Sequence, residues 1–157
     1  MICSIIPVVS RQCVTVVVLW FAMCVIVQAQ VQVTVELEKD RFLPREKLPV
    51  RVKVVNFSGQ TLVFGEDNEW LQFQVETETG EEIPPITDPP PVKGRFTVES
   101  SIRATKEIDI SPYYALEQAG RYLLTAKVYI RQWGKQISTK AVKFDVSNGA
   151  VLWEQAF

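Results

Sequence analysis

From residue 31 onward the chain alternates apolar and polar side chains, the period of two that sends successive residues to opposite faces of a strand. Val31, Val33, Val35 and Leu37 oppose Gln32, Thr34, Glu36 and Glu38. Asp40 and Pro44 interrupt the pattern, and it resumes with Leu48, Val50, Val52 and Val54 against Arg51 and Lys53. The interruption predicts a connection able to cross from one sheet to the other, with Phe42 plugging the edge of the core. Asn56, Phe57, Ser58 and Gly59 form a turn cluster, and a short strand follows over 60–64. Leu71, Phe73 and Val75 then alternate with Gln72, Gln74 and Glu76 before the hairpin signal of Thr79 and Gly80, and 81–83 return as a short edge. Pro84, Pro85, Pro89, Pro90 and Pro91 lack the amide hydrogen that a central ladder needs. That stretch reads as an extended loop inside the domain rather than a linker between two.

Phe96 and Val98 resume the alternation, and Ile108 and Ile110 oppose Glu107 and Asp109. Ser111 followed by Pro112 predicts one short helical turn reaching about Leu116, since Ser caps helices and Pro is pre-set for a first helical position. The longest alternation comes next. Tyr122, Leu124, Ala126, Val128 and Ile130 form one face, and Arg121, Thr125, Lys127 and Arg131 lie on the other, which predicts a central strand. Gly120, two residues before Tyr122, predicts a sharp turn into that strand, with the phenol hydroxyl bonding back to upstream backbone as in a tyrosine corner. A turn at 132–135 leads to a last strand with Val142, Phe144 and Val146 inward, ended by Asn148 and Gly149. The whole is all-β: an antiparallel sandwich of seven to eight strands over 30–148, with a barrel as the alternative.

Ahead of this domain, 1–29 read as an export signal and its hydrophobic helix. Arg11 gives a weakly positive start, 13–27 are apolar apart from Thr15, and Val27, Gln28 and Ala29 supply a small-residue cleavage site. The expected mature N-terminus is Gln30. The alternative is an uncleaved anchor, in which case the chain meets the membrane through 13–27 alone. The tail 149–157 is apolar, with Leu152, Trp153 and Phe157, and either packs back on the domain or begins something longer.

At 157 residues there is room for one domain, and 17 basic against 18 acidic side chains give a net charge of −1. That balance supplies no electrostatic footprint for nucleic acid. Cys3, Cys13 and Cys24 all lie in the leader, so the folded part has no disulfide framework. Histidine is absent, which removes the commonest general base and transition-metal ligand. No cofactor and no metal are therefore expected, and the chain reads as non-enzymatic.

Three stretches resemble bacterial extracytoplasmic immunoglobulin-like domains, in the style of macroglobulin-type and intracellular-proteinase-inhibitor-type sandwiches. One runs over 42–52 and includes Pro44, Glu46 and Pro49; one over 54–60 centres on Asn56; the third covers 111–126 and holds Gly120 and Tyr122. The resemblance implies an immunoglobulin-like sandwich and transfers no active or inhibitory residue. Leu124 stands where antibody domains place their second inter-sheet cysteine.

Several groups invite a chemical reading. Glu66, Asp67 and Glu69 are set against a calcium loop, but lack its spacing and fit a solvated turn. Glu76, Glu78, Glu81 and Glu82 are the carboxylates available for glycoside cleavage, though Glu76 and Glu78 fall on an outward face. Asn56-Phe57-Ser58 matches a glycosylation acceptor, and turn geometry is the simpler reason for that asparagine. Trp70, Tyr113, Tyr114, Trp133 and Trp153 form a candidate binding platform for sugar rings or a protein partner, with core plugging as the plainer alternative for Trp70 and Tyr113. The expected role is an exported module for protein interaction or structure at the cell envelope. Its partner would be a protein or a glycan, and a proteinase-inhibitor-like role through the loop 84–91 is the remaining option.

Overall fold

The structure, a computed structural model, describes residues 30–88 and 90–149. The leader 1–29 with its anchor reading over 13–27, and the tail from 150 onward with Trp153, lie outside the described residues.

The first strand, β1 (Val31–Leu37), and β3 (Pro49–Asn56) bury every second residue, as their alternation dictates. They pair antiparallel, and β3 pairs on its other side with β8 (Arg103–Asp109), giving a sheet of order β1-β3-β8. On its outward face, Glu36, Arg51, Lys53 and Glu107 form a cross-strand ladder of opposite charges, with Lys53 on Glu36 and Arg51 Nε 2.7 Å from Glu107 Oε2.

A second sheet has the order β2-β11-β9-β5-β6, built from β2 (Arg41–Phe42), β5 (Leu71–Thr77), β6 (Glu82–Ile83), β9 (Gly120–Ile130) and β11 (Val142–Val146). The connection after β1 does cross between sheets: β2 runs parallel to β11, with Arg41 opposite Asp145 and Phe42 opposite Val146. Phe42 is buried there as the sequence indicates, edge-on to Phe144 at 6.0 Å between centroids. The one parallel pairing makes the second sheet mixed rather than purely antiparallel.

At the centre is β9, with β5 along one side and β11 on the other. Tyr122, Leu124, Ala126, Val128 and Ile130 are all buried, and they join Val50, Val52 and Val54 of the first sheet in one core. Tyr122 Oη donates to Gln118 O at 2.8 Å, the upstream bond expected of it, while its ring stacks on Phe144 at 5.5 Å. Gly120 needs no left-handed backbone, and a Cβ there would only touch the Tyr122 ring at 3.9 Å. The turn into β9 is therefore held by the tyrosine, not by the glycine.

Four elements differ from the alternation reading. The helical turn after Ile110 is a 3-10 turn, Ser111–Tyr113, that stops short of Leu116 and has no serine cap; Asp109 Oδ1 instead accepts the Ser111 amide at 3.0 Å. Strand β8 begins at Arg103, well before Ile108, because β3 supplies its ladder partner; on this edge strand the inward face carries half-buried Lys106. β10 (Lys135–Ser138) pairs with β9 although Ile137 is its only large apolar residue. Finally, β4 (Leu62–Phe64) and β7 (Phe96–Val98) make a two-stranded ladder of their own. At its end a Cβ on Gly65, whose φ is +77°, would stand 2.1 Å from Gly94 O, so only glycine fits.

The asparagine turn binds that ladder to the first sheet. Asn56 is fully buried: its Nδ2 donates to Gln60 O at 2.6 Å and to Val98 O at 2.8 Å, while Oδ1 accepts the Ser58 amide and hydroxyl at 2.9 and 2.7 Å. A glycan has no access to an amide so enclosed, and the acceptor motif is a structural turn.

These contacts set expected stabilities. Asn56→Asp should cost more than Tyr122→Phe, because it turns two donated bonds into carboxylate–carbonyl repulsion in a buried site. About 2–4 kcal/mol against about 0.5–1.5 kcal/mol is expected in urea titrations, and Leu124→Ala should lose about 2–5 kcal/mol.

Candidate functional site

Elements at one end of the second sheet enclose an apolar groove of about 360 Å³. Buried Phe42, Leu48, Tyr114, Leu116, Phe144 and Val146 line its floor, and exposed Leu43, Arg45, Ile86 and Glu117 its rim. Leu43 and Ile86 are 51% and 64% exposed, which is high for large aliphatic side chains that flank a concave surface.

The rim is built by a tight loop after β2. The Glu46 amide donates to Leu43 O at 3.1 Å, and Glu46 Oε2 accepts the Leu43 amide at 2.8 Å, so the loop closes on itself and turns Leu43 outward. Lys39 and that amide hold the Glu46 carboxyl below its ordinary range. Arg45 adopts φ 63°, a conformation costly for a residue with a Cβ, and reaches Glu117 across the rim at 2.9 Å. On the floor side, Asp109 Oδ1 accepts the Leu48 amide at 3.0 Å. Burial would raise the Asp109 carboxyl, but its bonds to Ser111 and Leu48 bring it below the usual value.

The structure divides the candidate aromatic platform. Trp70 is only 4% exposed: it packs on Phe64 and Phe96 at 5.6 and 5.4 Å, and its Nε1 donates to Val92 O at 3.0 Å. Tyr114 is 6% exposed, with Oη donating to Phe73 O of β5 at 2.8 Å. Both are core plugs, their polar atoms spent on carbonyls. Tyr113 is half-buried beside the proline loop, where its carbonyl accepts the Ile86 amide at 2.9 Å. Trp133 closes a 3-10 turn, Arg131–Trp133, that passes into left-handed Gly134; its ring is half-buried against the core rather than free. Trp70 and Tyr114 are thus unavailable to a sugar, Tyr113 and Trp133 are half-buried, and Trp153 lies outside the described residues.

Four of the acidic side chains singled out above face cations or amides of the chain itself. Asp67 pairs with Arg131 and accepts the Glu69 amide at 2.9 Å, and Glu66 lies 3.8 Å from Arg131 and 3.9 Å from Arg95. Two of the three carboxylates in this loop thus face cations of the chain itself. Glu78 pairs with Arg121 at 3.1 Å, and Glu76 accepts from Gln74 at 2.8 Å. The proline loop is tied to the domain at both flanks, by a Pro85–Tyr114 bridge and by Asn68 Oδ1 accepting the Lys93 amide at 2.9 Å, while 84–88 stay exposed.

What sequence reasoning missed is the groove itself. Its lining is brought together from four separate stretches, and only the apolar, non-alternating Leu43 and Ile86 hinted at it.

Burial pushes the Tyr114 hydroxyl up from 10.0 to about 12, with Glu82 adding to the effect. The folded state therefore holds this proton after the unfolded chain has lost it, so the contribution of Tyr114 to stability is complete below pH 10 and lost as pH rises toward 12. Absorbance titration should show two tyrosines ionising above the usual range, since burial also raises the Tyr122 hydroxyl, with Tyr114 as the latest step. In Tyr114→Phe that late step should vanish, at a cost of about 0.5–1.5 kcal/mol near neutral pH.

No protein-family model matches the chain, and no curated protein does so. Among solved structures, the sporulation control protein Spo0M of Bacillus subtilis is similar at 13% identity and a TM-score of 0.49, over 78% of this chain and 51% of that one. The chain thus spans about half the length of Spo0M. The CARDB domain of a Pyrococcus furiosus protein, in complex with di-metal ions, shows 16% identity and a TM-score of 0.42, over 77% and 90%. A conjugative transposon lipoprotein from Bacteroides eggerthii shows 15% identity and a TM-score of 0.26, over 74% and 97%.

Proposed function

We propose that this chain is an exported, non-enzymatic immunoglobulin-like sandwich that works by protein contact at or outside the cell envelope. Strand pairing supports the immunoglobulin-like reading. β1, β3 and β8 occupy the places of strands A, B and E, and β5, β9 and β11 those of C, F and G, with the tyrosine corner ahead of F. Export is supported by the composition of 1–29, an apolar run followed by a small-residue cleavage site.

The observation that carries the contact role is the groove. Its floor is apolar, its rim presents Leu43 and Ile86 to solvent, and the exposed pair Arg45–Glu117 lies on the same rim. Such a surface gains by burying an apolar side chain. The glycan reading is weaker because Trp70 and Tyr114 are spent in the core.

Used as bait in envelope extract, the chain should capture a protein that Leu43→Asp with Ile86→Asp captures at least about tenfold less, and its N-terminus should be Gln30. Capture unchanged by the double variant would exclude the groove, and binding on a glycan array would favour the sugar reading instead.

A further inference from the structure

The groove lies where the described chain ends. Because β11 runs parallel to β2, the backbone beyond Val146 advances in the same direction as the chain that carries Leu43 and Arg45 to the groove rim. The ladder continues one step past the strand, with the Ser147 amide donating to Phe42 O at 3.0 Å. Gly149 then lies against the rim, where a Cβ built on it would stand 3.8 Å from Leu43 Cδ2. The next eight residues of the sequence are Ala-Val-Leu-Trp-Glu-Gln-Ala-Phe, with a single ionised side chain, Glu154.

We propose that the segment 150–157 is what covers the groove, seating Leu152 or Trp153 between Leu43 and Ile86. Reach is sufficient, since at about 3.3–3.6 Å per extended residue Leu152 and Trp153 come within about 10–15 Å of Gly149. Capacity is also right: about 360 Å³ is near the low end of the roughly 300–1,000 Å³ of pockets that hold small molecules, enough for one or two large side chains. A second copy of the chain has no such connection to the groove, whereas the segment is tethered beside it and competes at high effective concentration. Under the contact role proposed above, on which this part rests, the segment is the occupant that a partner displaces.

The test is a photo-crosslinking benzophenone residue in place of Trp153 in the full chain. Irradiation should give monomer-sized products crosslinked to 42–48, to Ile86 or to 111–117. Leu43→Asp with Ile86→Asp should lose these products, and Tyr129→Asp, an exposed substitution away from the groove, should keep them. Thermal melts of all three proteins check that folding is unaltered. Crosslinks confined to a dimer, to another macromolecule, to lipid or to remote parts of the domain would overturn the proposal, as would none at all. The two readings fail separately. Intramolecular crosslinks without any captured partner leave the covered groove and remove the contact role, and capture without crosslinks does the reverse.

Discussion

Burial of the inward face of β9 is the constraint to which the other elements answer. Its five inward side chains are all buried, so each neighbouring strand must present an apolar face of its own and keep its backbone groups paired. β5 and β11 meet the backbone requirement from either side, and the valines of β1 and β3 meet the packing requirement from the opposite sheet. The Tyr122 hydroxyl adds direction. By bonding Gln118 O it fixes how the chain enters the strand, and with its ring on Phe144 it ties that entry to β11. The groove follows from this arrangement, since Phe144 and Val146 of β11 and Phe42 of its parallel partner are also its floor.

Much of the fold was legible because its cause is local. Valine alternation in 31–37 and 48–54 names the buried face directly, since a strand half in water must sort its side chains that way. Phe42 could be placed at the core edge because an isolated aromatic in a polar connection has few other uses. β10 could not be read: its pairing with β9 comes from hairpin geometry, and its mostly exposed Lys135, Gln136 and Ser138 carry no alternation. Nor could the start of β8, whose partner is some fifty residues away in sequence.

The candidate site was hardly legible at all. Aromatics are recognisable in sequence, yet whether Trp70 faces solvent depends on Phe64, Phe96 and the carbonyl of Val92, three distant contributions. The groove has the same character, being a shape left between separate stretches. Polar chemistry fared better, because charges declare themselves: Glu78 on the outward face of a hairpin meets Arg121 on the neighbouring strand, as two solvated side chains of opposite sign would.

The strand that borders β9 on the groove side is interrupted once. Between the pairs Ser138–Lys127 and Val142–Leu124 one strand advances four residues and the other three, a single-residue bulge. The Thr139 hydroxyl accepts the Ala126 amide at 3.0 Å, so the break leaves no buried donor unpaired there. In consequence the register of the hairpin tip and the register of β11 are set independently. A one-residue gain or loss among 131–138 is absorbed at Thr139, and Phe144 and Val146 keep their places, which frees the far end of the domain to change length in evolution without disturbing the apolar floor at the other.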